Sequence, residues 1–121
     1  MIYIKDTYQI PAYVISNENQ RWATSAIPNA KSVLTVTGSG DQALFYKLSG
    51  ATIVDTFDVS HNAGLIQDIK FCAIKHIKHP SKYVDLLNAL HIGDNIYTIP
   101  QMHKLIPYLT DTSRKTIIHN K

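Results

Sequence analysis

Residues 33–58 read VLTVTGSGDQALFYKLSGATIVDTFD, and their order decides how the chain is understood. The apolar run 33–37 is rich in β-branched residues and continuous, which predicts a strand buried on both faces. Gly38 and Gly40 give the backbone a sharp turn, and Asp41 follows, placed to cap a helix over 42–48. Leu44, Phe45 and Leu48 are that helix's expected buried face, and Gly50 sits where a left-handed residue ends a helix. A second apolar run, 52–57, closes on Asp58. The connection holds a helix and is too long for a hairpin, so a right-handed parallel crossover is expected. Strand, Gly-x-Gly loop, helix, strand and terminal acid together open a nucleotide-binding α/β domain. In that arrangement the loop amides face the ligand and the acid reaches a ribose.

Outward from this stretch, Ile2, Ile4, Tyr8 and Ile10 alternate weakly, consistent with an edge strand or an extended arm over residues 1–15. Ser16 is expected to cap a helix whose first turn holds Asn17 and Glu18, with Trp22/Ala26 and Ala23/Ile27 as an apolar stripe and Pro28 as its stop. Downstream, Ser60 begins a longer helix to about Ile77, with Leu65, Ile69, Cys72 or Ala73 on one face. Pro80 interrupts it, Ser81 restarts a helix through Leu90, and Gly93 ends that one. Residues 95–99 are ambiguous. Gln101–Leu109 has helical spacing despite Pro107, and Asp111 is expected to cap a last helix through His119. The whole reads as a truncated Rossmann-like three-layer α/β fold, with few parallel strands and a helical C-terminal half. One domain, 1–121, is expected: an arm and helix over 1–30, a β-α-β-α core over 31–79 and a helical segment over 80–121.

Composition bounds what such a chain can do. Its 121 residues suit one small domain, and 45% apolar with 17% charged residues is ordinary for a globular protein. Twelve Lys and Arg against nine Asp and Glu leave a formal charge of +3, with small basic clusters at 70–82 and 114–121. Weak attraction to anions follows, without a stripe specific for nucleic acid. The single cysteine, Cys72, forms no internal disulfide, and the N-terminal residues form neither a leader nor an anchor. A cytoplasmic protein without a membrane span is the expectation.

Asp58 lies twenty residues beyond Gly38, the distance at which an acid reaches the two hydroxyls of an adenosine ribose. The bland reading, a tight turn with a capping acid, stands beside this one. Gly38-x-Gly40-x-x-Ala43 also fits a dinucleotide fingerprint, so a small NAD(P)-binding protein is an alternative. A pyrophosphate beside Asp41 would meet a like charge at the helix start, whereas the ammonium of an S-adenosyl ligand would meet an opposite one. The charge at Asp41 therefore favours S-adenosylmethionine.

The wording of VLTVTGSGDQALFYKLSGA and DVSHNAGLIQDIKFCAIKHI resembles the S-adenosylmethionine:diacylglycerol 3-amino-3-carboxypropyltransferases of betaine-lipid synthesis. Thr35, Gly40, Asp41, Ala43 and Leu44 match that family's first strand, loop and helix. Asp58, Lys70, Ala73 and Ile74 match its second strand and following helix. The segments 81–90 and 105–117 are similar to its helical stretch. The resemblance implies a Rossmann-like fold that transfers an aminocarboxypropyl rather than a methyl group. Gln42 replaces the family's usual Asn, and Ser60-His61-Asn62 replaces an Asn-Pro pair after the acid. Family members continue with further strands and acceptor-binding residues, so the chain resembles the amino half of such an enzyme. An acceptor-side base is expected elsewhere.

These observations single out Thr37, Gly38, Ser39, Gly40, Asp41, Asp58 and Val59 as ligand-binding residues. Asp41 is the ammonium partner and Asp58 the ribose partner; no catalytic residue and no metal are assigned. Trp22 or Tyr46 would border an adenine. His76 and His79 have metal-ligand spacing on a helix but no evident third ligand, so solvent-facing histidines are expected. Cys72 is expected to be a packed small side chain. A truncated sheet leaves strand edges that need covering, which predicts a homo-oligomer, such as a homodimer, or a complementing subunit. The same prediction supports a second class of function, a non-catalytic oligomerising or partner-binding module.

Overall fold

The computed structural model describes residues 14–16 and 19–119. The expected arm at 1–13, and Asn17 and Glu18 of the expected first helical turn, lie outside the described residues. Chain order runs α1 (Gln20–Ala26), β1 (Ser32–Val36), α2 (Asp41–Leu48), β2 (Ile53–Phe57), α3 (His61–His76) and α4 (Pro80–His91). A 3₁₀ turn (Ile96–Thr98), α5 (Pro100–Leu105), a second 3₁₀ turn (Ile106–Tyr108) and α6 (Asp111–His119) follow. The molecule is mixed α/β, and its residues group into two units, Met1–Gln67 and Asp68–Lys121, divided within α3.

In the first unit β1 and β2 pair in parallel, Val33 beside Val54 and Thr35 beside Thr56, as the crossover predicts. Side chains alternate across a strand, so Val33 and Thr35 turn inward while Ser32, Leu34 and Val36 turn outward. Burial of β1 on both faces is therefore corrected: Leu34 is 70% exposed and Val36 51%. Among the described residues one face of the two-stranded sheet is covered, by a core of Val33, Tyr46 and Ala51 with Ala30 and Val54 packed against it.

The inner face of α2 is also corrected. Ala43 and Tyr46 are buried, whereas Leu48 is 75% exposed and Leu44 and Phe45 are half-buried. A small residue at 43 lets the helix approach closely, and Tyr46 fills the space over the strands. Tyr46 is thus a core residue rather than an adenine wall. Gly40, not Asp41, is the N-cap of α2, at φ 83°, and Asp41 is the first helical residue. Gly50, at φ 102°, ends the helix as expected.

Asn19 caps α1 by accepting from the Arg21 N–H, displacing Ser16 from that role. Ser16 instead donates its backbone N–H to Asp41 Oδ2 at 2.8 Å, and its hydroxyl accepts from Gln20 Nε2 at 2.7 Å. The expected apolar stripe of α1 is not an inner face: Gln20 is buried, Trp22 is 76% exposed and Ile27 is exposed. The Ala23 side chain lies outside the described set. Pro28 follows the end of the helix, as expected.

In the second unit Pro80 is the first residue of α4 rather than a break before it, a position where its missing N–H costs nothing. Gly93 ends that region at φ 83°. Pro107 divides the expected 101–109 helix into α5 and a 3₁₀ turn. Thr110, not Asp111, caps α6, its hydroxyl accepting from the Ser113 N–H, while Asp111 pairs with Arg114 inside the helix. Leu86, Met102 and Leu105 are fully buried, with Leu90, Ile99, Leu109 and Ile117 nearly so. Among the described residues no helix is long and apolar enough to cross a membrane.

Gly40 carries the closest approach in the first unit. A Cβ there would lie 3.0 Å from the Gln67 Cα on α3, whereas Gly38, at φ 51°, has open space around it. Gly38→Ala should cost about 1 kcal/mol through its left-handed backbone alone, and Gly40→Ala about 2 kcal/mol or more because backbone must also shift. Urea denaturation of both variants distinguishes them; equal losses would show that the approach of α3 does not constrain residue 40.

Candidate functional site

The carboxyl ends of β1 and β2 lie side by side, and the Thr37 N–H extends their pairing by donating to the Phe57 carbonyl at 2.9 Å. Ligands of open α/β sheets bind at this end of the strands. The backbone then reverses through Gly38 and Gly40, and the Gly40 N–H returns to the Thr37 carbonyl at 2.7 Å. Thr37 and Ser39 are buried against this turn.

Asp58 meets the loop directly. Its Oδ2 accepts the Gly38 N–H at 3.0 Å and its Oδ1 accepts the Ser60 N–H at 2.9 Å. The structure thus brings Thr37 to Asp41 together with Asp58, as expected, and leaves the neighbouring Val59 exposed. The amides of Gly38 and Gly40, expected to face a ligand, are instead engaged within the protein. The bland reading accounts for these bonds as they stand. A ligand reading depends on the second lone pair that each Asp58 oxygen retains, and the Asp58 side chain is exposed to offer it.

Asp41 is half-buried at the start of α2, where it accepts from the Ser16 N–H and, at 3.0 Å, from the Ser39 hydroxyl. Beside it is an open depression of about 300 Å³, lined by Ser16, Asn19, Gln20, Arg21 and Phe45. A carboxylate and a guanidinium therefore border one concavity, a pairing suited to a ligand end carrying both charges.

Gln67 was not legible in the sequence. Its Nε2 donates to Thr56 Oγ1 at 3.0 Å, its backbone packs under Gly40, and its Oε1 is buried without a hydrogen-bond partner among the described residues. No pattern marks it, because its role comes from α3 passing close beneath the glycine loop. Trp22 lies exposed on α1. Lys70, which the family resemblance singled out, is buried on α3 and held by interactions of its own.

His76 and His79 do not share a helical face, because α3 ends at His76 and His79 caps α4. The His76 ring stacks on Tyr108 with centroids 3.8 Å apart, and both histidines are exposed. Among the described residues no group of three or more His, Cys, Asp or Glu could hold a metal ion.

Cys72 is buried as expected, its thiol 3.4 Å from the Tyr108 carbonyl and 3.8 Å from Asp68 Oδ1. Burial, reinforced by the Asp68 charge, pushes the thiol above its usual 9.0. The folded protein thus holds the Cys72 proton more tightly than the unfolded chain. This contribution to stability is present below about pH 9 and is lost as pH rises further. Iodoacetamide should alkylate Cys72 slowly in the native protein at mildly alkaline pH and rapidly in urea. Equal rates would contradict this burial. No protein-family model matches the chain, and no curated protein or solved structure was found to match it.

Proposed function

We propose that the carboxyl end of the β1–β2 pair binds S-adenosylmethionine or S-adenosylhomocysteine, within a Rossmann-like domain resembling aminocarboxypropyl and methyl transferases. The observation that carries this reading is the Gly38 N–H to Asp58 hydrogen bond, which sets the acid of the second strand against the glycine loop of the first. Asp58 offers its outward lone pairs to the ribose hydroxyls, with Val59 beside it. Asp41 takes the ammonium of the methionine end. Arg21, lining the same depression, suits that end's carboxylate. A dinucleotide supplies no ammonium for Asp41 and would bring a pyrophosphate towards two carboxylates.

The chemistry asked of such a site is chiefly positioning. A sulfonium is already an activated leaving group, so holding it in reach of an acceptor supplies most of what transfer needs. The proposal assigns binding residues and no acceptor-side base.

Titration calorimetry with S-adenosylmethionine should show saturable binding by the full chain. Asp58→Ala should weaken it about tenfold or more, as should Arg21→Gln, which leaves the Asp58 bonds in place. No binding by the native protein, or unchanged affinity in both variants, would remove the site. Tight NADH binding without a response to S-adenosylmethionine would favour the dinucleotide alternative.

A second reading, a self-associating module without catalysis, is favoured by the outer face of the sheet. Leu34, Val36, Ile53 and Phe57 all point outward and are at least half exposed, interrupted by Ser32 and Asp55. Among the described residues neither outer strand edge is paired. A second copy of the chain would cover such a face. Light scattering should then report a dimer that Leu34→Lys converts to monomer; a native monomer at high concentration would discard this reading.

A further inference from the structure

The second unit holds a cavity of about 530 Å³ that the S-adenosylmethionine reading does not use. Three lysines border it: Lys78 from the α3–α4 connection, Lys82 from the first turn of α4 and Lys104 from α5. The imidazoles of His76 and His79 add ring N–H donors at the same opening. Among the described residues no Asp or Glu lines it. Lys82 lies 4.0 Å from Asp85 with both side chains largely exposed, an arrangement worth little.

Three of the chain's twelve Lys and Arg border this one concavity. Like charges placed around one concavity repel one another, and an anion inside relieves that repulsion while the walls focus the field on it. The N-terminus of α4 lies at the same opening, its cap residue His79 making no side-chain capping bond. This end of the helix carries the positive part of its dipole.

We propose that this cavity binds a small phosphorylated metabolite, its phosphate held among Lys78, Lys82 and Lys104. The chemistry of the donors selects the anion. Planar carboxylates are best matched by the arginine fork, and no arginine lines the cavity; several separate ammonium groups suit a tetrahedral, multiply charged phosphate. The volume selects the size, because cavities of about 300 to 1,000 Å³ typically hold whole small molecules rather than single ions. Ile77 and Pro100 give the organic portion an apolar wall, and the Gln101 amide offers it a donor and an acceptor. Lysines grouped around one concavity also suit a single phosphate better than the extended row of phosphates on a duplex.

Heteronuclear NMR titration of the full chain with glucose 6-phosphate, inorganic phosphate and glucose tests the proposal. Saturable shifts should be confined to residues 76–82 and 100–104 with glucose 6-phosphate, weaker with phosphate and absent with glucose. Lys78→Gln and Lys104→Gln, both exposed substitutions, should each weaken glucose 6-phosphate binding about tenfold, while Lys115→Gln in α6 should not change it. No saturable shift, shifts elsewhere, or unchanged affinity in the Lys78→Gln/Lys104→Gln protein would overturn the assignment. Binding to anionic phospholipid vesicles without any response to soluble phosphates would also overturn it, and would mark a membrane-facing patch instead. The outcome is independent of S-adenosylmethionine binding by the first unit.

Discussion

One carboxylate organises the first unit. Asp58 accepts an amide from the loop after β1 and another from the residue preceding α3, so a single side chain ties the end of one strand to the start of the next helix. Hydrogen bonds to an ionised acceptor are stronger than neutral ones, and here two backbone donors that the turn leaves unpaired are satisfied together. The path of α3 from Ser60 then brings Gln67 under Gly40, where a Cβ would lie 3.0 Å from the Gln67 Cα, tighter than nearly all Cβ contacts. The glycine at 40 is favoured twice, by its positive φ and by this contact. Gly38 is required only by its backbone.

That arrangement separates the two acids the sequence offers. Asp58 is exposed and each of its oxygens accepts one of the backbone bonds described, so lone pairs remain towards solvent. Asp41 is half-buried, with the Ser16 amide and the Ser39 hydroxyl both directed at its Oδ2. The carboxylate of Asp58 is held in place by two backbone amides, whereas that of Asp41 is engaged by Ser16 and Ser39 and by further interactions of its own. Of the two, Asp58 is the more exposed.

The sequence was most legible where the backbone itself imposes the residue. Left-handed positions at Gly38, Gly40, Gly50 and Gly93, the two β-branched runs and their parallel pairing all follow from local sterics and connection length. Burial was misread because apolar content reports what a strand can bury, not how many layers are present to bury it. Leu34 and Val36 suit a covered face, yet both are at least half exposed. Helix caps slipped for a related reason. Several side-chain oxygens near each helix start compete for its free amides, and tertiary contacts decide among them, as when the Ser16 amide, 25 residues away, engages Asp41. Gln67, and the meeting of Lys78 and Lys82 with Lys104, arise from contacts between elements, which no local pattern encodes.

Charges of opposite sign border the loop after β1 and the cavity of the second unit. Asp41 and Asp58 favour a ligand with ammonium or sulfonium character and hydroxyls to donate. Lys78, Lys82 and Lys104 favour the opposite sign, in a concavity without a lining carboxylate among the described residues. The two proposals therefore concern ligands of opposite charge. A small chain with a modest net charge can present both chemistries because its charges are segregated rather than because they are numerous.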